Sequence, residues 1–497
     1  MWQRLARVSP TTWGLIGTIL ITLGSFGAGA TRNRGGALDA LGWNFLAFGH
    51  GKGILEVTLL IGILLLILGW LQVGRRTIVD KPESDAERFA TVRRSLWLWV
   101  APLVVAAPIL SRDVYSYLMQ GAMVRDGFDP YTEGAAINPG PYLLEVSHDW
   151  RNTTTPYGPL HMWIGEGVTT VVGDNVAAGL IAYKLISLAG FAVIAWAIPK
   201  IATKLGGDPA MALWLGVANP VMILHMVGGM HNESIMVALV SVGILCALNR
   251  KFVAAVVLIS VAVSLKATAA IALPFVVWIA TNHFAGKDTP VRRKIIAFVA
   301  SGAIGVALTL AVVSFVTWAS GSSWGWLAEI SGNSKVVNPL ALPTLVTDLV
   351  IPFIQLFDEL FPYNQVLSAA RTVGTFAMLA GLVVIWWLFR QNDRRAIMGT
   401  TLAYQWAYLV NAVSLPWYYA SVISLVGTFR PPVWLLQLTT GASVFIALAF
   451  TGGGNHRFYD LWFIGIGLIL AWLAATYVFP LGTQKPGTKK PSPARAE

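Results

Sequence analysis

Apolar stretches of roughly 17–25 residues recur from one end of this chain to the other, the length needed to cross a hydrocarbon core. With 56% hydrophobic and only 12% charged residues, and a mean hydropathy of +0.64, the 497-residue chain is too apolar for a soluble enzyme. Every backbone polar group inside a bilayer must be satisfied internally, so long apolar runs fold as helices. The pattern therefore predicts an all-α polytopic membrane protein. Evenly spaced runs with no long soluble insertion predict a single membrane domain over residues 1–480. The Pro- and Lys-rich tail, 481–497, has the composition of a disordered, basic cytoplasmic segment. The lone cysteine, Cys246, sits in an apolar run and excludes a disulfide framework.

About fourteen apolar segments can be read, near 13–30, 54–73, 95–111, 177–199, 209–228, 232–248, 252–265, 268–282, 295–318, 366–389, 397–414, 416–429, 432–450 and 458–479. They predict about 12–14 transmembrane helices, with long external loops that carry short amphipathic helices. Arg4 and Arg7 followed by an apolar run resemble a signal peptide; the topology is better served by an uncleaved first span. With the N-terminus placed in the cytoplasm, 24 of the 35 basic residues fall on the inner side and 8 of the 24 acids do. This is the positive-inside bias expected of a plasma-membrane protein with both termini cytoplasmic. It accounts for most of the +11 net charge without a nucleic-acid partner. The long loops 112–176 and 319–365, and the turns at 229–233 and 451–457, then lie outside.

Polar residues gather on that outer side. Asp113 follows the third apolar run within Ser111-Arg112-Asp113-Val114-Tyr115-Ser116-Tyr117. A carboxylate there suits chemistry on a lipid-borne substrate, although acids at membrane exits are also common for plain reasons. Arg112, one residue before it, is expected to face lipid headgroups, because adjacent helical residues do not share a face. Tyr157-Gly158-Pro159-Leu160 reads as a turn or as part of a site, before a short apolar stretch expected to lie along the membrane surface. In Gly229-Met230-His231-Asn232-Glu233, His231 or Asn232 can cap the next helix, or the three polar residues can face a ligand. Lys266 divides Phe252–Ile279 into two segments of about 13 residues, each short of a full crossing. It either snorkels to the interface or binds a lipid phosphate. Arg457 has the same two readings. Pro416-Trp417-Tyr418 is an interfacial aromatic belt or a sugar-stacking surface. Lys184, inside the fourth span, has no evident role.

Taken in order, Arg112-Asp113-Val114-Tyr115-Ser116-Tyr117, Tyr157-Gly158-Pro159-Leu160, Gly229-Met230-His231-Asn232-Glu233, Leu265-Lys266-Ala267-Thr268 and Pro416-Trp417-Tyr418 span almost the whole chain. In them the sequence resembles the actinobacterial polyprenyl-phosphomannose-dependent α-1,6-mannosyltransferases, GT-C membrane glycosyltransferases of lipomannan and lipoarabinomannan synthesis. The resemblance implies a GT-C-like bundle, polyprenyl-phosphate-mannose as donor and an α-1,6-mannan glycolipid as acceptor. It also implies a catalytic base in the first large external loop, which maps onto Asp113. That loop follows the third span here, where many GT-C enzymes place it after the first; two additional N-terminal spans account for this. Lys266 and Arg457 become candidates for the donor phosphate. Tyr115, Tyr157, His231, Asn232, Glu233, Trp417 and Tyr418 become candidates for sugar and acceptor binding. No His/Asp cluster has metal-ligand spacing, so neither metal nor cofactor is expected. The alternative from another class is a lipid-linked sugar transporter or flippase. It should line a path across the bilayer with polar residues, whereas most ionisable residues here sit at the ends of spans.

Overall fold

The structure of the protein is a computed structural model describing residues 9–286, 289–332 and 336–481. Arg4, Arg7, Lys287 and the basic tail from residue 482 onward lie outside the described residues. The described chain is built from helices, and an isolated bridge between Phe450 and His456 is the one strand-like pairing found in it.

The first two long helices show how the bundle packs. α1 (Pro10–Ala28) starts where the Ser9 hydroxyl accepts the Thr12 N–H at 3.2 Å, with Pro10 in the first turn. It lies against α2 (Gly49–Gly74) along a line of glycines. A Cβ on Gly17 would stand 2.6 Å from the Leu66 nitrogen, and one on Gly62 2.7 Å from the Gly17 carbonyl. Small residues let the two backbones touch, the usual means of helix association in a membrane. Further along, Trp70 on α2 stacks on Trp214 with ring centres 4.8 Å apart. Each indole N–H donates to the other residue's carbonyl, at 3.0 and 2.9 Å.

Seven described helices are long and apolar enough to cross a membrane, or eight if the bent pair Pro209–Gly216 and Pro220–Gly228 is one span. The all-helical, multi-pass architecture stands, but this is fewer than the 12–14 crossings read from hydropathy. Several apolar runs form helices of only 10–17 residues, among them Glu233–Leu248 and Phe252–Leu265. Others are interrupted. The third run does not carry a helix to Asp113: α3 (Asp85–Leu103) has Pro102 in its last turn, and residues 104–112 are not α-helical. Proline removes a donor and clashes with the preceding turn. The next helix, α4 (Asp113–Arg125), begins at Asp113 itself. At Asn219-Pro220 the chain bends by 52° and winds into a π turn over Ile223–Gly228. The break at Lys266 falls where the sequence placed it: the helix Phe252–Leu265 ends there, Lys266 is extended (φ −153°, ψ 121°), and a 3-10 turn covers Ala267–Ala272. The segment beyond it, Ala267–Ala285, is longer than expected at 19 residues and long enough to cross.

Non-helical backbone at membrane depth is tolerated only where protein buries it or a cavity receives it. Here the breaks satisfy one another. Ile109 N–H donates to the Gly228 carbonyl at 3.3 Å, Leu110 N–H to Gly452 at 2.8 Å, and Ala30 N–H to Pro108 at 2.7 Å. Residues 104–112 are thus stitched to the end of α1 and to the turns near 228 and 452. The helices that follow in the chain include α5 (Pro159–Val172), α6 (Val176–Lys204), α7 (Pro209–Gly216), α8 (Glu233–Leu248) and α9 (Phe252–Leu265). α4 and α5 meet at Gly121 and Gly165, where a Cβ on Gly121 would lie 2.2 Å from the Gly165 carbonyl carbon.

Candidate active site

The broken segments converge on a cavity of about 430 Å³. α4 supplies one wall. Asp113, Ser116, Tyr117 and Gln120 all line it; they stand at i, i+3, i+4 and i+7, one stripe of a helix. Ser111 and Arg112, with residues from 147–157, 336–338, 413–418 and 450–456, contribute the remaining lining, including Trp150, Tyr157, Trp417, Tyr418 and His456.

Two carboxylates line the cavity among the described residues, Asp113 and Asp149. Asp149 is a rim group with a side chain 64% exposed, whereas that of Asp113 is 19% exposed. Asp113 occupies the first position of α4, where the helix dipole favours a negative charge. Its N–H donates to the Ser111 hydroxyl at 3.1 Å. Burial by itself pushes the Asp113 carboxyl up. His231, the Ser111 hydroxyl and the positive charge of Lys266 outweigh burial and hold it below the usual carboxylate range.

Beneath the cavity lies a buried polar layer. His231, Asn232 and Glu233 are at most 3% exposed. His231 lies flat on Trp417, ring centres 3.7 Å apart at 16°, and its Nδ1 faces Asp113 Oδ2 at 3.4 Å. Asn232 does not cap α8 with its side chain; its Nδ2 meets His161 Nδ1 at 3.2 Å, and His161 Nε2 meets Gln120 Oε1 at 3.1 Å. Lys266 does not snorkel. It is buried, paired with Glu233, and its ammonium sits 4.0 Å from the Tyr418 ring centre and 5.5 Å from that of Tyr157. Gly158 makes this junction possible: its N–H donates to the Leu265 carbonyl at 3.0 Å, and a Cβ there would lie 2.2 Å from the Ser264 carbonyl oxygen. Trp417 and Tyr418 are buried at the cavity rather than spread along an interface.

Of the ten residues singled out in the sequence, Asp113, Tyr157, Trp417 and Tyr418 line the cavity, and His231, Asn232, Glu233 and Lys266 form the layer under it. Two are placed elsewhere. Tyr115 is not among the lining residues: its hydroxyl donates to the Ala30 carbonyl at 2.8 Å and its ring carries the Arg112 guanidinium at 4.7 Å. Arg457 is not among the lining residues; its neighbour His456 is. Arg112 does line the cavity instead of facing headgroups. Its guanidinium donates to the carbonyls of Thr31 (2.7 Å) and Glu145 (2.8 and 3.1 Å) and lies 3.3 Å from the Glu145 carboxylate. Tyr117 and Gln120 were missed, though the stripe that starts at Asp113 carries them. His161 and Trp150 were missed because nothing local marks them. Lys184 acquires a role: its ammonium donates to the Val227 carbonyl at 2.8 Å, holding the end of the π turn. Among the described residues no group of three or more His, Cys, Asp or Glu is gathered as for a metal ion.

Fold and site together define a multi-pass membrane protein with a shielded carboxylate opening on an aromatic cavity. Residues 11–282 match the alpha-(1->6)-mannopyranosyltransferase N-terminal domain, and residues 343–479 match the MptB C-terminal domain. The chain is 60% identical over 489 residues to alpha-(1->6)-mannopyranosyltransferase A of Corynebacterium glutamicum, covering 95% of this chain and 99% of that protein. It is 35% identical over 486 residues to alpha-(1->6)-mannopyranosyltransferase A of Mycobacterium tuberculosis, covering 97% and 92%. Against alpha-(1->6)-mannopyranosyltransferase B of Corynebacterium glutamicum the identity is 28% over 430 residues, covering 82% and 70%. The chain belongs to the alpha-(1->6)-mannopyranosyltransferase family.

Proposed function

We propose that the protein is an inverting α-1,6-mannosyltransferase of the plasma membrane. It moves mannose from polyprenyl-phosphate-mannose to the growing α-1,6-mannan of a lipomannan or lipoarabinomannan acceptor, on the external face. The relatives' names support mannosyl transfer, and the distribution of basic residues supports the sidedness. The observation that carries the reading is Asp113, a shielded carboxylate on an aromatic cavity.

The chemistry follows from the donor. A β-linked phosphomannose that gives an α product undergoes one inversion at C1, which needs one base and no covalent intermediate. Asp113 takes the acceptor hydroxyl proton as that oxygen bonds to C1. The bond from C1 to the phosphate oxygen breaks, and its electron pair leaves with the lipid phosphate. The donor brings its own leaving group, so the reaction as proposed uses no cofactor or metal. Trp417, Tyr418, Tyr157 and Trp150 offer ring faces to sugars, and Tyr117 and Gln120 offer polar atoms. For the leaving phosphate we retain Lys266, whose ammonium has three N–H donors, one carboxylate partner among the described residues, Glu233, and a place against the rings of Tyr418 and Tyr157, which line the cavity. Arg457 is not retained as the second cation.

The test is donor turnover by purified protein in detergent, with no vesicle and no gradient, which also separates an enzyme from a flippase. Asp113→Asn should lower the rate about 10²–10⁴-fold, the scale of lost general-base catalysis, while donor binding persists. Transfer within a few-fold of wild type by folded Asp113→Asn would end the assignment.

A further inference from the structure

We infer that His231 is a positioning residue for the base: it holds the Asp113 carboxylate so that one oxygen faces the acceptor hydroxyl, and it does not itself bind sugar. The inference rests on the reading of Asp113 as the base. His231 is 0% exposed and absent from the cavity lining, so a sugar cannot reach it without displacing other groups. Its ring is confined by two neighbours. Trp417 covers one face at 3.7 Å, and the bare backbone of Gly229 makes room beside the ring, since a Cβ there would lie 2.9 Å from His231 Cδ2. The turn that presents it is equally constrained. Met230 adopts the left-handed φ of 55°, an unusual conformation for a side chain with Cβ, and Lys184 anchors the preceding Val227 carbonyl.

Fixed in this way, the imidazole directs Nδ1 at Asp113 Oδ2, 3.4 Å away. That is longer than a closed hydrogen bond, and neither ring nitrogen has another partner among the described residues. His225 approaches ring to ring at 5.7 Å, and its nitrogens are also without a hydrogen-bond partner among the described residues. A buried donor without a competing acceptor is costly unless something uses it, and catalytic hydrogen bonds commonly tighten only when substrate is bound. Once this contact closes on Oδ2, the carboxylate is oriented and Oδ1 is left to receive the proton. Acceptor and base are thereby aligned before the reaction, and a displacement of about 1 Å in such an alignment can cost about 10²-fold in rate.

The experiment uses full-length protein in detergent, polyprenyl-phosphate-mannose and an α-1,6-linked mannooligosaccharide. His231→Phe keeps the stack on Trp417 but removes the N–H. Its kcat should fall by about 10–100-fold, with the KM of donor and acceptor changed by less than about threefold. In an Asp113→Asn background His231→Phe should cause no further loss, because residues that act through one another are not additive. His231→Asn, which carries an amide N–H near the Nδ1 position, should recover kcat above His231→Gln, whose amide lies nearer Nε2. Wild-type kcat in His231→Phe, an equal fractional loss in both backgrounds, or a loss confined to KM would each overturn the inference. If His231→Phe does not fold, the Asn–Gln comparison decides, and equal kcat in the two overturns it. An active Asp113→Asn enzyme instead defeats the general-base reading, and the inference with it.

Discussion

At the scale of single residues, the face of a helix decides more than proximity in sequence. Tyr115 and Tyr117 flank Ser116, yet only Tyr117 lines the cavity, because it shares a helical stripe with Asp113. Tyr115→Phe removes a buried bond to the Ala30 carbonyl. It should cost about 1 kcal/mol of stability, visible as a lowered Tm, with kcat unchanged. Tyr117→Phe should instead alter kcat or KM, because Tyr117 lines the cavity. The Asp113 carboxyl supplies a second test at this scale. Its pKa lies below the usual carboxylate range, near 4 for aspartate. The base form is therefore complete at neutral pH and is lost only as pH falls below that range. A profile of kcat/KM from pH 8 down to about 5 should show no carboxylate limb. An Asp113-dependent limb with its midpoint near 6 would mean that burial outweighs His231 and Lys266.

At the scale of elements, the breaks matter as much as the helices. Lys266 separates the short helix α9 from Ala267–Ala285, which at 19 residues is long enough to cross, so only the first of the two segments is short as expected. Its pairing with Glu233 ties that break to the start of α8. Removing one member of a buried pair leaves the other charge uncompensated, at a cost of about 3–5 kcal/mol. Lys266→Met and Glu233→Gln should each lower Tm sharply, and the double variant should recover much of the loss. Additive losses in the double variant would show that the pair is not coupled. If Lys266 also meets the donor phosphate, the double variant should regain its Tm but keep a raised donor KM. Gly158→Ala acts on the same junction. Its new methyl would stand 2.2 Å from a backbone oxygen, so the loop must move and Tyr157 with it. Activity should drop more than for Gly167→Ala on the same helix, where a Cβ meets nothing within 4 Å.

At the scale of the whole molecule, hydropathy and charge carry most of the architecture. In a Cys246→Ala background, Asn152→Cys should react with membrane-impermeant thiol reagents in intact cells, and Asn392→Cys should not; both positions are exposed. The reverse pattern would invert the topology and the proposed external site. The all-helical class, the break at Lys266 and the candidacy of Asp113 were legible in the sequence, because apolar length and an isolated charge in an apolar run have few structural solutions. The number of uninterrupted helices long and apolar enough to cross was not legible. A hydropathy window does not see that a helix ends just after Pro102 and another breaks between Gly216 and Pro220, nor that the N–H groups of Ile109 and Leu110 find carbonyls at Gly228 and Gly452. The partners of the site were hidden for the same reason. Asp113 and His231 are 118 positions apart, Lys266 and Glu233 are 33 apart, and Arg112 meets Glu145 across another 33. The sequence by itself determined that the chain is membrane-embedded and helical and that a few polar residues had to be accommodated there, since bilayer solvation acts on each segment separately. Only the tertiary structure decided which charges neutralise one another, which rings face the cavity and which carboxylate stays available, because these depend on contacts between segments whose order in the chain says nothing of their distance in space.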